Sequence, residues 1–145
     1  MSRYTHNPIL TILFFLRETI CFISNNFIFV FCLLQLAEPY YAFKAAGFEV
    51  TIASTAGGAI PIDAGSMKGD AFTADSKKFM LDAEAYAAFS HSVKLDASVH
   101  KDAFDCVYMC GGHGCCVDFA GEKATDLVAI ASAAYAAGKI VAAGK

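Results

Sequence analysis

The stretch FDCVYMCGGHGCCVDF, residues 104–119, joins a strand-like run to a glycine loop. The run from Phe104 to Cys110 is apolar at almost every position, which is typical of a strand buried on both faces of a parallel sheet. The loop Gly111-Gly112-His113-Gly114 follows it directly. Ligands of open α/β sheets bind beyond the carboxyl ends of the strands, so this loop lies where a binding site is expected.

Working outward from this stretch, helical and strand-like patterns alternate along the chain. Apolar residues at Leu36, Tyr40, Phe43 and Ala46 recur at intervals of three and four, which predicts one face of a helix that stops at Gly47. Pro39 suits the first turn of that helix. The remaining predicted elements, in order, are a strand over 48–54, a helix over 77–89, a short segment of mixed pattern over 95–100, a strand over 104–110, a helix over 122–137 and a strand over 139–143. Such alternation predicts an α/β fold with a parallel sheet and helices on both faces.

Composition limits the classes of partner. The 145 residues carry a formal net charge of −3, which gives no electrostatic reason to expect nucleic-acid binding. The six cysteines do not have the regular spacing of a secreted disulfide framework, so we expect reduced thiols and a cytoplasmic protein.

The first 35 residues form an atypical apolar segment, which we separate from a domain over 36–145. A membrane-spanning helix needs about 20 uninterrupted apolar residues. Here Arg17-Glu18 and Asn25-Asn26 divide the run over 9–37 into pieces of eight, six and eleven residues. We therefore interpret the segment as foreign to the normal fold, with a membrane anchor as the minor alternative and a cleaved signal peptide as a weaker one.

Four interpretations of the glycine loop are open. Cys110, His113, Cys115 and Cys116 are residue types that zinc accepts, but adjacent cysteines rarely bind one ion, so we predict no metal site. A local pair of His113 and a cysteine lacks an obvious orienting carboxylate other than Asp118, and cysteines are most often small buried apolar residues. The third interpretation uses the backbone: Gly111, Gly112 and His113 form a cradle whose N–H groups stabilise a negative oxygen. A tight turn without a ligand is the remaining alternative.

Three motifs together resemble the PfpI superfamily of class I glutamine-amidotransferase-like proteins. They are EPYYAFKAAGFEVTIASTAGGAIPID, FDCVYMCGGHGCCVDF and AAYAAGKIVAA, and the resemblance covers roughly residues 36–143. The branch most resembled is that of the glutathione-independent glyoxalases, also called D-lactate dehydratases, which includes heat-shock chaperone relatives. The resemblance implies a flavodoxin-like doubly wound sheet and cofactor-free conversion of methylglyoxal, a small 2-oxoaldehyde, to D-lactate. It also implies that Gly112 and His113 belong to the binding loop.

The sequence departs from the family pattern at both catalytic positions. Relatives carry a cysteine-histidine pair after the strand that ends in Ala-Ala, whereas this sequence has Gly144-Lys145 there, so the nucleophile would lie beyond Lys145. The family's functional glutamate, four residues before the proline, corresponds to Gln35, and Glu38 should face elsewhere. We assign no catalytic residue. We also expect the family's first strand to have no counterpart here, unless residues 9–16 pair in its place.

We therefore expect an α/β domain that is incomplete at both ends. Two functions are open: a glyoxalase III-type protein that lacks its nucleophile, and a non-catalytic, chaperone-like or stress-response remnant. Whether the chain is an enzyme and whether it forms a homodimer are open at this point. An uncovered apolar sheet face would favour association.

Overall fold

The computed structural model describes residues 19–24, 32–100, 102–112 and 115–144. The strands within these residues are β1 (Thr19–Ser24), β2 (Glu49–Ser54), β3 (Val93–Lys94), β4 (Cys106–Met109) and β5 (Ile140–Ala143). The helices within these residues are α1 (Leu34–Ala45), α2 (Ala74–Leu81), α3 (Ala83–Ser90), α4 (Ala97–His100), α5 (Cys115–Asp118) and α6 (Thr125–Ala136). Short 3-10 turns occur at Ala64–Met67, Gly69–Ala71 and Gly121–Ala124.

The strands form one sheet in the order β3-β2-β1-β4-β5, and every pairing is parallel. The chain first extends the sheet from β1 through β2 to β3, and it then crosses back to place β4 on the other side of β1. The strand order therefore reverses between β1 and β4, which is the position where doubly wound sheets bind ligands. The predicted α/β class and parallel sheet are confirmed.

The strand β1 corrects one expectation from the sequence. We expected the first strand to have no counterpart, yet Thr19–Ser24 pairs with β2 from Thr19↔Glu49 to Ser24↔Ser54 and with β4 from Ile20↔Cys106 to Ile23↔Met109. The same polar pairs that interrupt a membrane span in the sequence, Arg17-Glu18 and Asn25-Asn26, leave an apolar run of strand length between them. β1 and the start of α1 both lie in the segment 1–35 that the sequence analysis set apart. The alternative strand over 9–16 lies outside the described residues.

The helix α1 begins earlier than its spacing predicted. It starts at Leu34, so Pro39 lies in its second turn rather than its first, where it cannot donate the usual hydrogen bond four residues back. Leu33 and Ala37 are fully buried, and their burial compensates for the proline by packing the first turn against the sheet. The predicted stop is confirmed: the helix ends at Ala45, and Gly47 has a φ of +89°, a conformation that favours glycine.

The two faces of the sheet carry separate cores. Along β4 and the residue after it, Cys106, Tyr108 and Cys110 pack on the side of α1, α2 and α3, while Val107 and Met109 pack on the side of α6. This alternation is the period of two that a strand imposes on its side chains. The near-continuous apolar run of β4 is thus explained by helices on both faces.

The predicted helix over 77–89 is two helices. Asp82 ends α2 and begins α3, and its carboxylate accepts hydrogen bonds from the backbone N–H groups of Glu84 and Ala85. Aspartate is one of the strongest N-cap residues, so it starts a new helix at the point where the helical spacing alone predicted continuity. No helix of the described residues is long and apolar enough to cross a membrane; residues 1–18 and 25–31 are outside that description.

Among the described residues, Phe79 has the largest fully buried side chain, and its ring packs edge-on against Tyr40, Tyr41 and Phe89. We predict that Phe79→Ala lowers the free energy of unfolding by about 3–5 kcal/mol, because it removes a buried ring and leaves a cavity. Leu81→Ala is the matched control, since Leu81 is on the same helix but 87% exposed; it should change stability by less than about 0.5 kcal/mol. Urea unfolding measures both, and equal losses would contradict the assigned packing of α2.

Candidate functional site

A cavity of about 650 Å³ opens at the carboxyl edge of the sheet, next to the point where the strand order reverses. Four parts of the chain meet there: the start of α1, the loop after β2, the loop after β4 with the following α5, and the end of β5. Its lining residues are Cys32, Gln35, Asp63, Met109, Cys110, Gly111, Gly112, Cys115, Cys116, Phe119, Ala143 and Gly144.

Gly111 and Gly112, two of the three predicted binding residues, line this cavity. Gly112 has a φ of +126°, which side-chain-bearing residues rarely adopt. A Cβ atom at residue 112 would also lie 3.4 Å from Oε1 of Gln35, so glycine is required by backbone conformation and favoured by the close approach. His113, the third predicted residue, and Gly114 lie outside the described residues.

Gln35 lies directly beside the glycine loop. It lies in the first turn of α1, it is half-buried, and it lines the cavity. Glu38 is exposed and is not among the lining residues. Gln35 corresponds by the resemblance to a glutamate of the family. It therefore lies beside the predicted binding loop, although its side chain is an amide.

The cysteines of the loop differ in burial. Cys106 and Cys110 are buried, as the interpretation of cysteines as small apolar residues predicted. Cys115 is half-buried, its thiol donates a hydrogen bond to the carbonyl of Cys110 over 3.0 Å, and burial raises the pKa of the thiol. Cys116 is exposed. Burial thus holds Cys115 in the protonated form, which is the less nucleophilic one.

In the described part of the chain, no group of three or more His, Cys, Asp or Glu side chains is arranged to hold a metal ion. The four residues weighed as zinc ligands include His113, which is not described. Cys115 instead has a structural role: its backbone N–H donates to the carbonyl of Gly112 over 3.2 Å, which starts α5 directly behind the loop.

The wall formed by α1 is anchored to α2 and α3. The Tyr41 hydroxyl donates to Oδ2 of Asp82 over 3.0 Å, and Nζ of Lys78 lies 3.6 Å from the centre of the Tyr41 ring. Burial, together with the hydrogen bond to Asp82, raises the pKa of Tyr41. Hydrogen bonds from the backbone of Ala85 and from Tyr41 lower the pKa of Asp82. Lys44 and Glu84 form an ion pair at 2.7 Å across the same interface.

Sequence reasoning missed two features of the site. Asp63 lines the cavity, although the Pro-Ile-Asp segment indicated only a resemblance to the family and not a position in the site. Tyr108 reaches the end of β5, where a Cβ atom built on Gly144 would lie 2.6 Å from the Tyr108 hydroxyl oxygen. The alternation of β4 predicts the face on which Tyr108 lies, but its contact with Gly144 depends on the register Met109↔Ala143, which only the structure gives.

No protein-family model matches the chain. No curated protein matches it by sequence. Among solved structures, the chain is similar to Rapid Encystment Protein 24 kDa of Francisella tularensis, with 23% identity and a TM-score of 0.76 over 87% of this chain and 57% of that one. It is also similar to glyoxalase III of Candida albicans, with 21% identity and a TM-score of 0.76 over 88% of this chain and 56% of that one.

These neighbours have the fold of the DJ-1/PfpI superfamily. The chain therefore has the DJ-1/PfpI fold, which confirms the resemblance at the level of the fold. It spans 57% and 56% of the lengths of the two solved structures.

We predict that Gly144→Ala lowers the free energy of unfolding by about 1–3 kcal/mol, because the new methyl group overlaps the Tyr108 hydroxyl. Tyr108→Phe removes that oxygen, so the Gly144→Ala change should be tolerated in the Tyr108→Phe background. A double-mutant cycle of urea unfolding should give a coupling energy of about 1 kcal/mol or more. Additive effects of the two substitutions would show that the hydroxyl does not occupy this space.

Proposed function

We propose that the cavity binds a small 2-oxoaldehyde of the methylglyoxal type. We also propose that the chain is a glyoxalase III-type protein that lacks its nucleophile; enzymes of this type form D-lactate from methylglyoxal without glutathione or another cofactor. The observation that carries the proposal is the position of Gly111, Gly112 and Gln35 around one cavity at the carboxyl edge of the sheet. The similarity in fold to the Candida albicans glyoxalase III supports it.

The glycine loop suits the electronic demand of this reaction. Water adds to the aldehyde carbon and a hydrogen moves from that carbon to the ketone carbon, so negative charge develops on carbonyl oxygen. Backbone N–H groups of Gly111 and Gly112 are fixed donors for such an oxygen. Because glycine has no side chain, the substrate can approach this backbone closely.

Neither Gln35 nor the described end of β5 offers a suitable group for the proton transfers of this reaction. The Gln35 amide can donate and accept hydrogen bonds, but it does not take up a proton at neutral pH. At the end of β5, Ala143 and Gly144 line the cavity without a nucleophilic side chain. Burial raises the pKa of the half-buried Cys115 thiol on the opposite loop, which disfavours its use as the nucleophile.

We predict no conversion of methylglyoxal to D-lactate by the 145-residue chain above the buffer rate. Oxyanion donors contribute about 10²–10³ in rate and do not replace a nucleophile and a base. Extending the chain after Gly144 with a family-like cysteine-histidine-glycine continuation and changing Gln35→Glu should produce D-lactate, measured with a stereospecific lactate assay.

Two control variants sharpen this experiment. The extended chain that keeps Gln35 should be slower by about 10²-fold or more, because it lacks the proton acceptor. In the extended chain with Gln35→Glu, Glu38→Gln should leave the rate unchanged, since Glu38 is exposed and outside the cavity. D-lactate formation by the unaltered chain would contradict the assignment of missing catalytic groups.

A non-catalytic, chaperone-like function is the second candidate, and the edge strand β5 favours it. Ile140 is 65% exposed on this strand, and Val128 and Tyr135 of α6 are also exposed. Unpaired edge strands with exposed apolar side chains bind other chains readily.

We therefore predict that the chain self-associates and slows the aggregation of a heat-unfolded client protein, and that Ile140→Lys weakens both effects. A charged side chain on an edge strand opposes pairing with another strand. Val99→Lys is the control, because Val99 is similarly exposed but lies on α4. Size-exclusion chromatography and light scattering measure the two effects, and a stable monomer without effect on the client would rule out this candidate.

A further inference from the structure

Asp63 places a carboxylate in the wall of the cavity. It is half-buried and belongs to the Pro-Ile-Asp segment that follows β2. Its Oδ1 atom accepts a hydrogen bond from the backbone N–H of Gly65 over 2.7 Å, which caps the 3-10 turn Ala64–Met67. The carboxylate is therefore held in one orientation by its own loop.

Ser66 fixes this loop against α1. The Ser66 hydroxyl donates to the backbone carbonyl of Asp63 over 2.7 Å and accepts from the backbone N–H of Leu33 over 3.1 Å. Ser66 is 3% exposed, so both bonds are shielded from water. Because Leu33 directly precedes α1, this link holds the Asp63 carboxylate at a fixed position relative to Cys32 and Gln35, which line the same cavity.

The described side chains that line the cavity carry a negative charge. The ionisable side chains among the described lining residues are Asp63 and four cysteines, all of which are neutral or negative. The opposing contribution is the amino-terminal end of α1, which carries about +0.5 elementary charge. A full carboxylate charge exceeds this partial charge, and the N–H groups of Gly111 and Gly112 are uncharged dipoles, so Asp63 opposes the binding of an anion to the described lining residues.

We infer that Asp63 makes the cavity select neutral carbonyl compounds over carboxylates. The inference rests on the proposed function and adds a step to it: a neutral 2-oxoaldehyde enters, whereas the lactate anion formed from it is repelled. Asp63 is thus a specificity-determining residue that favours release of a carboxylate product.

The test uses the unaltered 145-residue chain and two variants with the same change in net charge. Asp63→Asn removes the cavity charge but keeps a side-chain oxygen that can cap Gly65. Asp70→Asn is the control, since Asp70 is exposed and outside the cavity. The ligands are hydroxyacetone, a neutral three-carbon ketone that avoids the aldehyde's reaction with lysine and cysteine, and D-lactate. Shifts of the Gly111 and Gly112 amide signals in ¹H–¹⁵N spectra report binding.

In Asp63→Asn, D-lactate should bind about tenfold more tightly than in the unaltered chain, because a like charge is removed from the cavity. Hydroxyacetone affinity should change less than about twofold, because a neutral ligand has no net charge for the carboxylate to repel. Asp70→Asn should change neither affinity. Unchanged lactate affinity in Asp63→Asn, or an equal gain in Asp70→Asn, would overturn the inference. If lactate shows the expected gain but hydroxyacetone does not bind, the proposed substrate class is wrong and the role of Asp63 stands. If neither ligand binds to any of the three proteins, both are wrong.

Discussion

The parallel pairing of β1 with β2 on one side and β4 on the other is the interaction on which the rest of the structure depends. Without β1, the sheet would divide into the pair β2-β3 and the pair β4-β5, because no other strand of the described residues joins them. The same pairing creates the reversal of strand order beside β4. The glycine loop that follows β4 and the first turn of α1 therefore lie at one edge of the sheet, where they form two walls of the cavity.

The elements that could be predicted from the sequence are those whose burial is visible in a short window. The run Cys106–Met109 is apolar on both faces because α1 and α6 cover opposite sides of it, so its pattern alone indicates a buried strand. Gly47 ends α1 because a positive φ is required there. Both features depend on local physics, and both agree with the structure.

The strand β1 and the start of α1 could not be predicted in the same way. Thr19–Ser24 has the length and polarity of a strand, but the surrounding apolar residues suggested a segment foreign to the fold, and its partners β2 and β4 are distant in the sequence. Pro39 favoured a helix that begins beside it, whereas burial of Leu33 and Ala37 extends α1 by a turn. In both cases tertiary contacts outweigh a local preference.

The same distinction between local signals and long-range contacts decides which residues of the candidate site could be predicted. Gly111 and Gly112 could be predicted because a glycine pair after a buried strand is a local signal, and Gln35 because the resemblance gives its distance from Pro39. Asp63 could not, since its place in the cavity depends on the contact of Ser66 with Leu33, two residues that are far apart in the sequence and carry no motif.

The walls of the cavity differ in how firmly they are held. On the side of α1, Tyr41, Lys78 and Asp82 tie three helices together, and Ser66 ties the Asp63 loop to the same helix. On the other side, the loop after β4 is held by the hydrogen bonds of Cys115 to Gly112 and Cys110. Gly144 follows β5, which is the edge strand of the sheet that the described residues form, and its N–H donates to the carbonyl of Met109 over 2.9 Å. The α1 wall, with Gln35 and Asp63, is therefore held by contacts among three helices, whereas the described pairing of β5 is with β4 along one edge.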